Sequence, residues 1–303
     1  METKTETGKG AGAISIQDVG KIYDPEGVHV VALEKCNIDI KPGEFMVVVG
    51  PSGCGKTTLL NCIAGFDNVT SGRVLLDGKP IATTEDPTLK PGPDRIVVFQ
   101  HGAMFPWKTV LDNLVMGPMF QKTMSMQDAK KKALELLEVV GLNGFENEYP
   151  KQLSGGMLRR AEIIRALINE PKVLLLDEPF RALDAMTKQL MQEYLLELYE
   201  KTGRKQTMFF ITHDLEEAIF LADRVFVMTT RPGKLKKMIN VDIPRPRDYS
   251  VLTTDRYLKL KQEVLDEVHE FNNAGSAQAK AAHRLTSLPG VPTVVLSGSL
   301  MGG

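Results

Sequence analysis

No run of eighteen or more apolar residues occurs in this 303-residue sequence, so no segment is long enough to cross a bilayer as a helix. The N-terminus, METKTETGKGAGA, also lacks the apolar core of a secretory signal, and the chain is expected neither to enter nor to span a membrane. An excess of charge of one sign is missing: 37 Lys and Arg stand against 38 Asp and Glu. A basic stripe for nucleic acid and an acidic solvated tail are thereby both disfavoured, and partners must be argued from sites. Cysteine is scarce. The three present, Cys36, Cys54 and Cys62, offer neither an even set for disulfides nor a ligand spacing with histidine, which points to a reducing compartment. What remains is an ordinary globular composition at a length beyond one average domain, so a bulky core with inserts, or two lobes, is expected.

The stretch Gly50–Thr58, GPSGCGKTT, organises the chain. It satisfies the pattern G-x-x-x-x-G-K-[ST] and lies between an apolar run, Phe45 to Val49, and a helix-like run, Thr57 to Ala64. Strand, glycine loop and helix start together make a phosphate cradle, because glycines let successive N–H groups turn inward and the helix adds its positive end. Pro51, Ser52, Gly53, Cys54 and Gly55 form the loop, Lys56 reaches the β and γ phosphates, Thr57 is placed to ligate Mg2+, and Thr58 contacts the same phosphates. Nucleoside triphosphate is the expected ligand.

Before this loop, Ile14 to Tyr23 reads as a strand, followed by a turn at Asp24 to Gly27 and strand-like runs at Val28 to Leu33 and Cys36 to Ile40. Arg73 to Ile81 reads as a hairpin turning at Asp77 and Gly78. Tyr23 closes the first strand, and both edge packing and stacking on a nucleotide base are open to it. Arg95 to Phe99 is an apolar strand ending in Gln100, a candidate for the metal or the attacking water, since α/β sheets bind ligands at strand carboxyl ends. Met104, Phe105 and Trp107 then fall in a loop that is either a small satellite core or a surface receiving a partner.

Ser125 to Val140 is predicted helical from Ala129, Ala133, Leu137 and Val140, with Gly141 ending it. Ser154 in Leu153–Met157, LSGGM, is an N-cap with Gly155 and Gly156 behind it, a second anion site at a helix start. Two cradles about a hundred residues apart suggest that one serves a nucleotide held by another copy of the chain. Val173 to Leu176 is an unbroken apolar strand ending in Asp177 and Glu178, so Asp177 is expected to order the metal and Glu178 to polarise water. Met208 to Ile211 is a further strand, placing His213 near the γ-phosphate.

Residues 14 to about 245 resemble the nucleotide-binding subunit of ATP-binding cassette (ABC) transporters, within the nitrate, sulfonate and taurine importer group. The resemblance is carried by GPSGCGKTT, the glutamine at Gln100, LSGGM, VLLLDEP at Val173, the loop Ala182, Leu183 and Asp184, and ITHD at Ile211. It implies a P-loop α/β cassette with a parallel core sheet, an antiparallel β lobe and a helical lobe over about 101–165. It also implies that Tyr23 stacks on adenine, that Ser154 and Gly156 close on the γ-phosphate of the opposite subunit, that Glu178 is the catalytic base and His213 the switch residue. ATP and Mg2+ are the implied cofactors. The implied partners are a paired ATPase subunit, a membrane permease docking near Met104, Phe105 and Trp107, and indirectly a periplasmic solute-binding protein; the implied place is the cytoplasmic face of the inner membrane. Arg181 departs from the group, which has glycine just before ALD. Residues 1–13 and 274–303 are expected to be disordered tails, and 246–273 a helical extension with Leu258, Val264, Leu265 and Val268 on its apolar face.

Overall fold

The computed structural model describes residues 12–24, 27–88, 90–100, 102–181, 183–201, 206–230 and 232–268. His101, Ala182 and nearly all of both expected tails lie outside them. Gly12 and Ala13, expected as tail, are instead tied down: their N–H groups donate to Asp77 Oδ1 at 2.7 and 2.9 Å.

Two sheets form. In the first, β1 (Ile14–Tyr23) and β2 (Val30–Ile40) pair antiparallel. The second sheet begins with β3 (Phe45–Val49), which feeds α1 (Lys56–Ala64). β4 (Ser71–Leu76) and β5 (Lys79–Thr83) complete the first sheet in the order β2-β1-β4-β5, turning at Asp77 and Gly78 with φ of 51° and 76°. The two strand-like runs expected before Ile40 are one strand. Val19 pairs with Cys36 and Lys21 with Leu33, so Glu34 and Lys35 together oppose Gly20. This bulge, with Lys35 at φ 47°, interrupts the alternation without ending the strand.

The second sheet gains β6 (Arg95–Val98), β7 (Val173–Asp177), β8 (Thr207–Thr212), β9 (Arg224–Met228) and β10 (Leu235–Asn240), in the order β10-β9-β3-β8-β7-β6. All neighbours are parallel except β10, an antiparallel edge strand, so the core sheet is mostly rather than wholly parallel. Its central strands carry apolar runs, Phe45–Val49, Val173 to Leu176 and Met208 to Ile211, because both faces are covered. Phe45, Val47 and Val49 face one core with Leu174, Leu176 and Phe210, while Met46 and Val48 face another with Leu175, Phe209 and the Leu59, Leu60 and Ile63 side chains of α1. Each such side chain contributes about 1.5–3 kcal/mol through burial, so α1 and the loop before it rest on a rigid base.

The helical lobe holds α2 (Val110–Gln121), α3 (Met126–Val139) and α4 (Gly155–Leu167). α3 buries Ala129, Ala133 and Leu137 as its spacing predicts, and Ser125 caps it by accepting from Asp128 N–H. The sequence reading placed no separate helix at α2, which carries Gly117 and Pro118 within its span. Gly117 is there for close approach: a Cβ would stand 2.1 Å from Asn169 Oδ1 beyond the end of α4. α5 (Ala185–Lys201), α6 (Leu215–Leu221) and α7, residues 255–268, complete the fold. The apolar face of α7 is made by Tyr257, Leu260 and Val264, all buried in the core, whereas Leu258 is exposed. Leu258 therefore does not share the face on which it was expected.

Candidate functional site

β3, β8 and β7 lie side by side, with Val49 opposite Thr212 and Ile211 opposite Asp177, so their carboxyl ends meet at one edge. The phosphate loop, the Asp177–Glu178 pair and His213, separated widely in sequence, are thereby brought together.

The loop geometry explains its glycines. Gly53 and Gly55 have φ of 76° and 93°, and a Cβ on Gly55 would come within 2.8 Å of Ala32 O and Leu33 Cδ2. Gly55 is also the left-handed N-cap of α1, with no side chain capping the first turn, so the helix start presents backbone donors rather than a neutralised end. Lys56 is buried, and its ammonium donates to Gly50 O at 2.7 Å and Pro51 O at 3.0 Å. Ser52 and Thr57 are exposed at the mouth, and Pro51 and Thr58 half-buried. Cys54 is buried behind the loop, where desolvation pushes its thiol up, so it serves packing rather than nucleophilic chemistry.

Thr57 Oγ1 lies 3.4 Å from Asp177 Oδ1. Burial, then the Glu178 charge, push the Asp177 carboxyl up against the opposing influence of Thr57 and Lys56, so its charged form is under-compensated. A hydroxyl beside such a carboxylate fits a magnesium ion that takes its other oxygens from water and phosphate. Glu178 follows in the left-handed region, φ 43°, with its N–H donating to Ile211 O at 3.0 Å. Its Oε2 is 3.3 Å from His213 Nδ1 and 3.0 Å from Arg181 Nη1. Gln100 is half-buried beyond β6, and its backbone carbonyl accepts from Arg159 Nη2 at 2.7 Å.

The second glycine site stands apart on α4. Ser154 accepts from Met157 N–H at 3.3 Å as its N-cap. A Cβ on Gly156 would meet Thr187 Cγ2 at 2.6 Å, while Gly155 faces Leu183, so the small residues allow the signature to lie against the start of α5. Leu153 and Met157 pack on the core, as does Leu183. Asp184 caps α5, and the Thr187 hydroxyl and N–H hold its carboxyl below the usual range.

Tyr23 donates its phenol to Asp67 Oδ2, and Lys21 Nζ sits 4.8 Å from the ring centroid. Burial, reinforced by Asp67, pushes the phenol up to about 12. The lysine covers one side of the ring.

The ABC transporter family matches residues 33–181. The aliphatic sulfonates import ATP-binding protein SsuB of Bacillus cereus is 41% identical over 256 residues, 84% of this chain and 95% of that one. The chain belongs to the ABC transporter family. The nitrate import ATP-binding protein NrtD of Synechococcus elongatus is 43% identical over 258 residues, covering 84% and 91% respectively. Among solved structures, the dimeric post-hydrolysis ATP-binding cassette MJ0796 bound to ADP and Pi matches with a TM-score of 0.65 at 32% identity, over 76% of this chain and all of that one (100%).

In this cassette the loop after Gln100 divides. Met104 is buried in the core, whereas Phe105 is 38% and Trp107 69% exposed, their centroids 5.5 Å apart. Met104 is thus core, as the first expectation has it, and the two rings are surface. With Met116, Met119 and Phe120 the rings line a groove of about 580 Å³.

Sequence reading missed what holds this loop. Asn113, buried on α2, accepts from Phe105 N–H at 2.7 Å and donates to the carbonyls of Phe105, Lys108 and Thr109. Arg159 forks onto the carbonyls of Phe99 and Gln100 at 2.8 and 2.7 Å and pairs with Glu162 at 2.8 Å. Glu162 Oε1 in turn accepts from Ala103 N–H at 3.0 Å. The available signal was a pair of opposite charges three apart in a helix where both positions face inward.

Proposed function

We propose that this chain is an ATP-hydrolysing subunit that energises uptake of a small anionic solute, of the nitrate, sulfonate or taurine kind, through a separate membrane permease. One observation carries the ATPase reading: Glu178 sits at the strand end beside the Thr57–Asp177 pair and the phosphate loop. The uptake reading rests on the import functions named for the relatives at 41% and 43% identity.

Backbone N–H groups of Gly53 to Thr58 cradle the phosphates, and Lys56 leaves its two carbonyl partners for the β and γ oxygens. Thr57, Gln100 and, through water, Asp177 would hold magnesium, which neutralises phosphate charge and polarises the γ-phosphoryl group when bound. Glu178 orients the attacking water and takes its proton, while His213 touches the γ-phosphate. Tyr23 stacks adenine on the side of its ring opposite Lys21. Leu153, Ser154, Gly155, Gly156 and Met157 close on the nucleotide of a second subunit, with Leu183 and Asp184 beside them; a dimer is the form of the related cassette MJ0796. The groove at Phe105 and Trp107 receives the permease, and a solute-binding protein acts through that permease. No helix among the described residues is long and apolar enough to cross a membrane, which suits a subunit held at the cytoplasmic face by its permease.

The test is genetic and chemical together. Deleting the gene should abolish growth on one of nitrate as sole nitrogen source or taurine or an alkanesulfonate as sole sulfur source, and the purified chain should hydrolyse Mg-ATP. Normal growth and uptake with all three anions would overturn the import reading, whatever the ATPase result.

A further inference from the structure

Glu178 is engaged at one oxygen by a guanidinium donor, with an imidazole nitrogen close to the same oxygen. Arg181 Nη1 and His213 Nδ1 lie 3.0 and 3.3 Å from the same Oε2, while the Glu178 side chain is only 13% exposed. The arginine reaches it because the chain turns tightly: Arg181 N–H donates to Glu178 O at 3.2 Å, and Leu183 N–H to Phe180 O at 3.2 Å. Phe180 is buried and Leu183 packs on the same core, so the turn is anchored on both sides of Arg181. The Arg181 side chain is 53% exposed. It joins a nearly buried carboxylate to a surface loop that leads directly into Asp184 and α5.

We propose that Arg181 is a positioning residue that restrains Glu178 in the single subunit, holding Oε2 away from water until contact with a second subunit at Arg181 and Asp184 draws the guanidinium off. The proposal rests on the assignment of Glu178 as the base. A carboxylate oxygen that already accepts from a guanidinium has less lone-pair density to offer a water molecule. The restraint must also be breakable. An ion pair with a half-exposed arginine is weak, because solvent screens it and the long side chain loses rotamer freedom to maintain it. While Arg181 holds Glu178, hydrolysis by this chain alone is suppressed relative to hydrolysis in the assembled pair.

The test compares steady-state ATPase of the full chain, well below the concentration at which it dimerises, with Arg181→Gln, Arg181→Lys and Glu178→Gln. Arg181→Gln should raise kcat about two- to five-fold, the range an exposed ion pair supports, with KM for ATP unchanged. Arg181→Lys keeps the charge but loses the fork, so it should fall between the parent and Arg181→Gln. An unchanged or lowered kcat in Arg181→Gln overturns the proposal, as does a Lys variant no slower than the Gln variant. A purely structural role would instead lower the melting temperature and move KM. Failure of the underlying reading is visible separately, as turnover surviving in Glu178→Gln.

Discussion

The hydroxyl of Thr57 lies 3.4 Å from the carboxylate of Asp177, across 120 residues of sequence. Neither residue alone makes a metal site. Their approach follows from the parallel sheet, in which β3 and β7 both flank β8 and end at the same edge. If this pair holds magnesium with Asp177 acting through water, Asp177→Asn should raise the Mg2+ concentration needed for half-maximal ATPase about 10- to 100-fold, as for other groups that act on a metal indirectly. A magnesium titration of the variant checks this; an unshifted midpoint places the metal elsewhere.

Ser154 caps α4 and is exposed, so its replacement separates two roles. Ser154→Ala should cost about 1 kcal/mol of stability through the lost cap and weaken ATP-driven dimerisation without abolishing it. Ser154→Arg adds bulk and charge where a second subunit's γ-phosphate region would approach, and should leave a monomer that still binds ATP through Gly50–Thr58. Sedimentation with ATP distinguishes them. A normal dimer of the Arg variant would exclude the trans arrangement.

Asp77 joins the two sheets' outer ends. Its carboxylate accepts from Gly12 and Ala13 N–H and pairs with Lys172 at 2.7 Å. Burial alone would raise this carboxyl, but the Lys172 ammonium and the two N–H donors hold it below the usual range. A depressed folded-state value means stability that is present above the unfolded carboxylate's titration and lost as pH falls through the folded value. Asp77→Asn should therefore be less stable than the parent by about 1 kcal/mol at pH 7 in denaturant unfolding. That gap should close as pH drops below about 4, and a gap independent of pH would mean that the charge is not its source.

Glu162 is the hinge of the missed network. Burial pushes its carboxyl up in spite of Arg159, and burial likewise lowers Arg159, as expected for a pair taken out of water together. Glu162→Gln leaves Arg159 without its counter-charge, which should destabilise the protein by about 3 kcal/mol. The amides of Phe99, Gln100 and Ala103 should also exchange faster with solvent, since Arg159 ties the carbonyls of Phe99 and Gln100 and Glu162 accepts from Ala103 N–H. Unchanged stability and unchanged exchange would show that the loop carrying Gln100 is held by other contacts.

Legibility in the sequence tracked how local the physics was. β3, β7 and β8 were legible because a strand covered on both faces carries an unbroken apolar run, a pattern that needs no knowledge of its neighbours. The phosphate loop was legible because its glycines answer to backbone geometry. α2 was not, since Gly117 is explained only by Asn169, a residue some fifty positions later. Arg181 could be noticed as a departure, but its contact with Glu178 depends on the turn between them. Tyr257 and Leu260 displaced Leu258 from the apolar face of α7 because side-chain spacing alone did not fix which stripe meets the core.

Trp107 is 69% exposed while Met104, three residues earlier, is 9% exposed. Truncating the two should therefore have opposite signatures. Met104→Ala removes a core side chain and should cost about 2–5 kcal/mol, seen as a marked fall in melting temperature of the isolated subunit. Trp107→Ala removes a ring whose main contact is Phe105 and should change stability by no more than about 0.5 kcal/mol. If the groove beside it seats a permease segment, the same change should weaken capture of the permease by about 2 kcal/mol or more, with intrinsic ATPase retained. Gln100 and Phe105 are each held by a side chain of the helical lobe, Arg159 and Asn113 respectively. Transport should then fall further than ATP hydrolysis in Trp107→Ala vesicles. Equal losses of both, or a melting temperature lowered as far as in Met104→Ala, would assign Trp107 to the fold and leave the groove without this role.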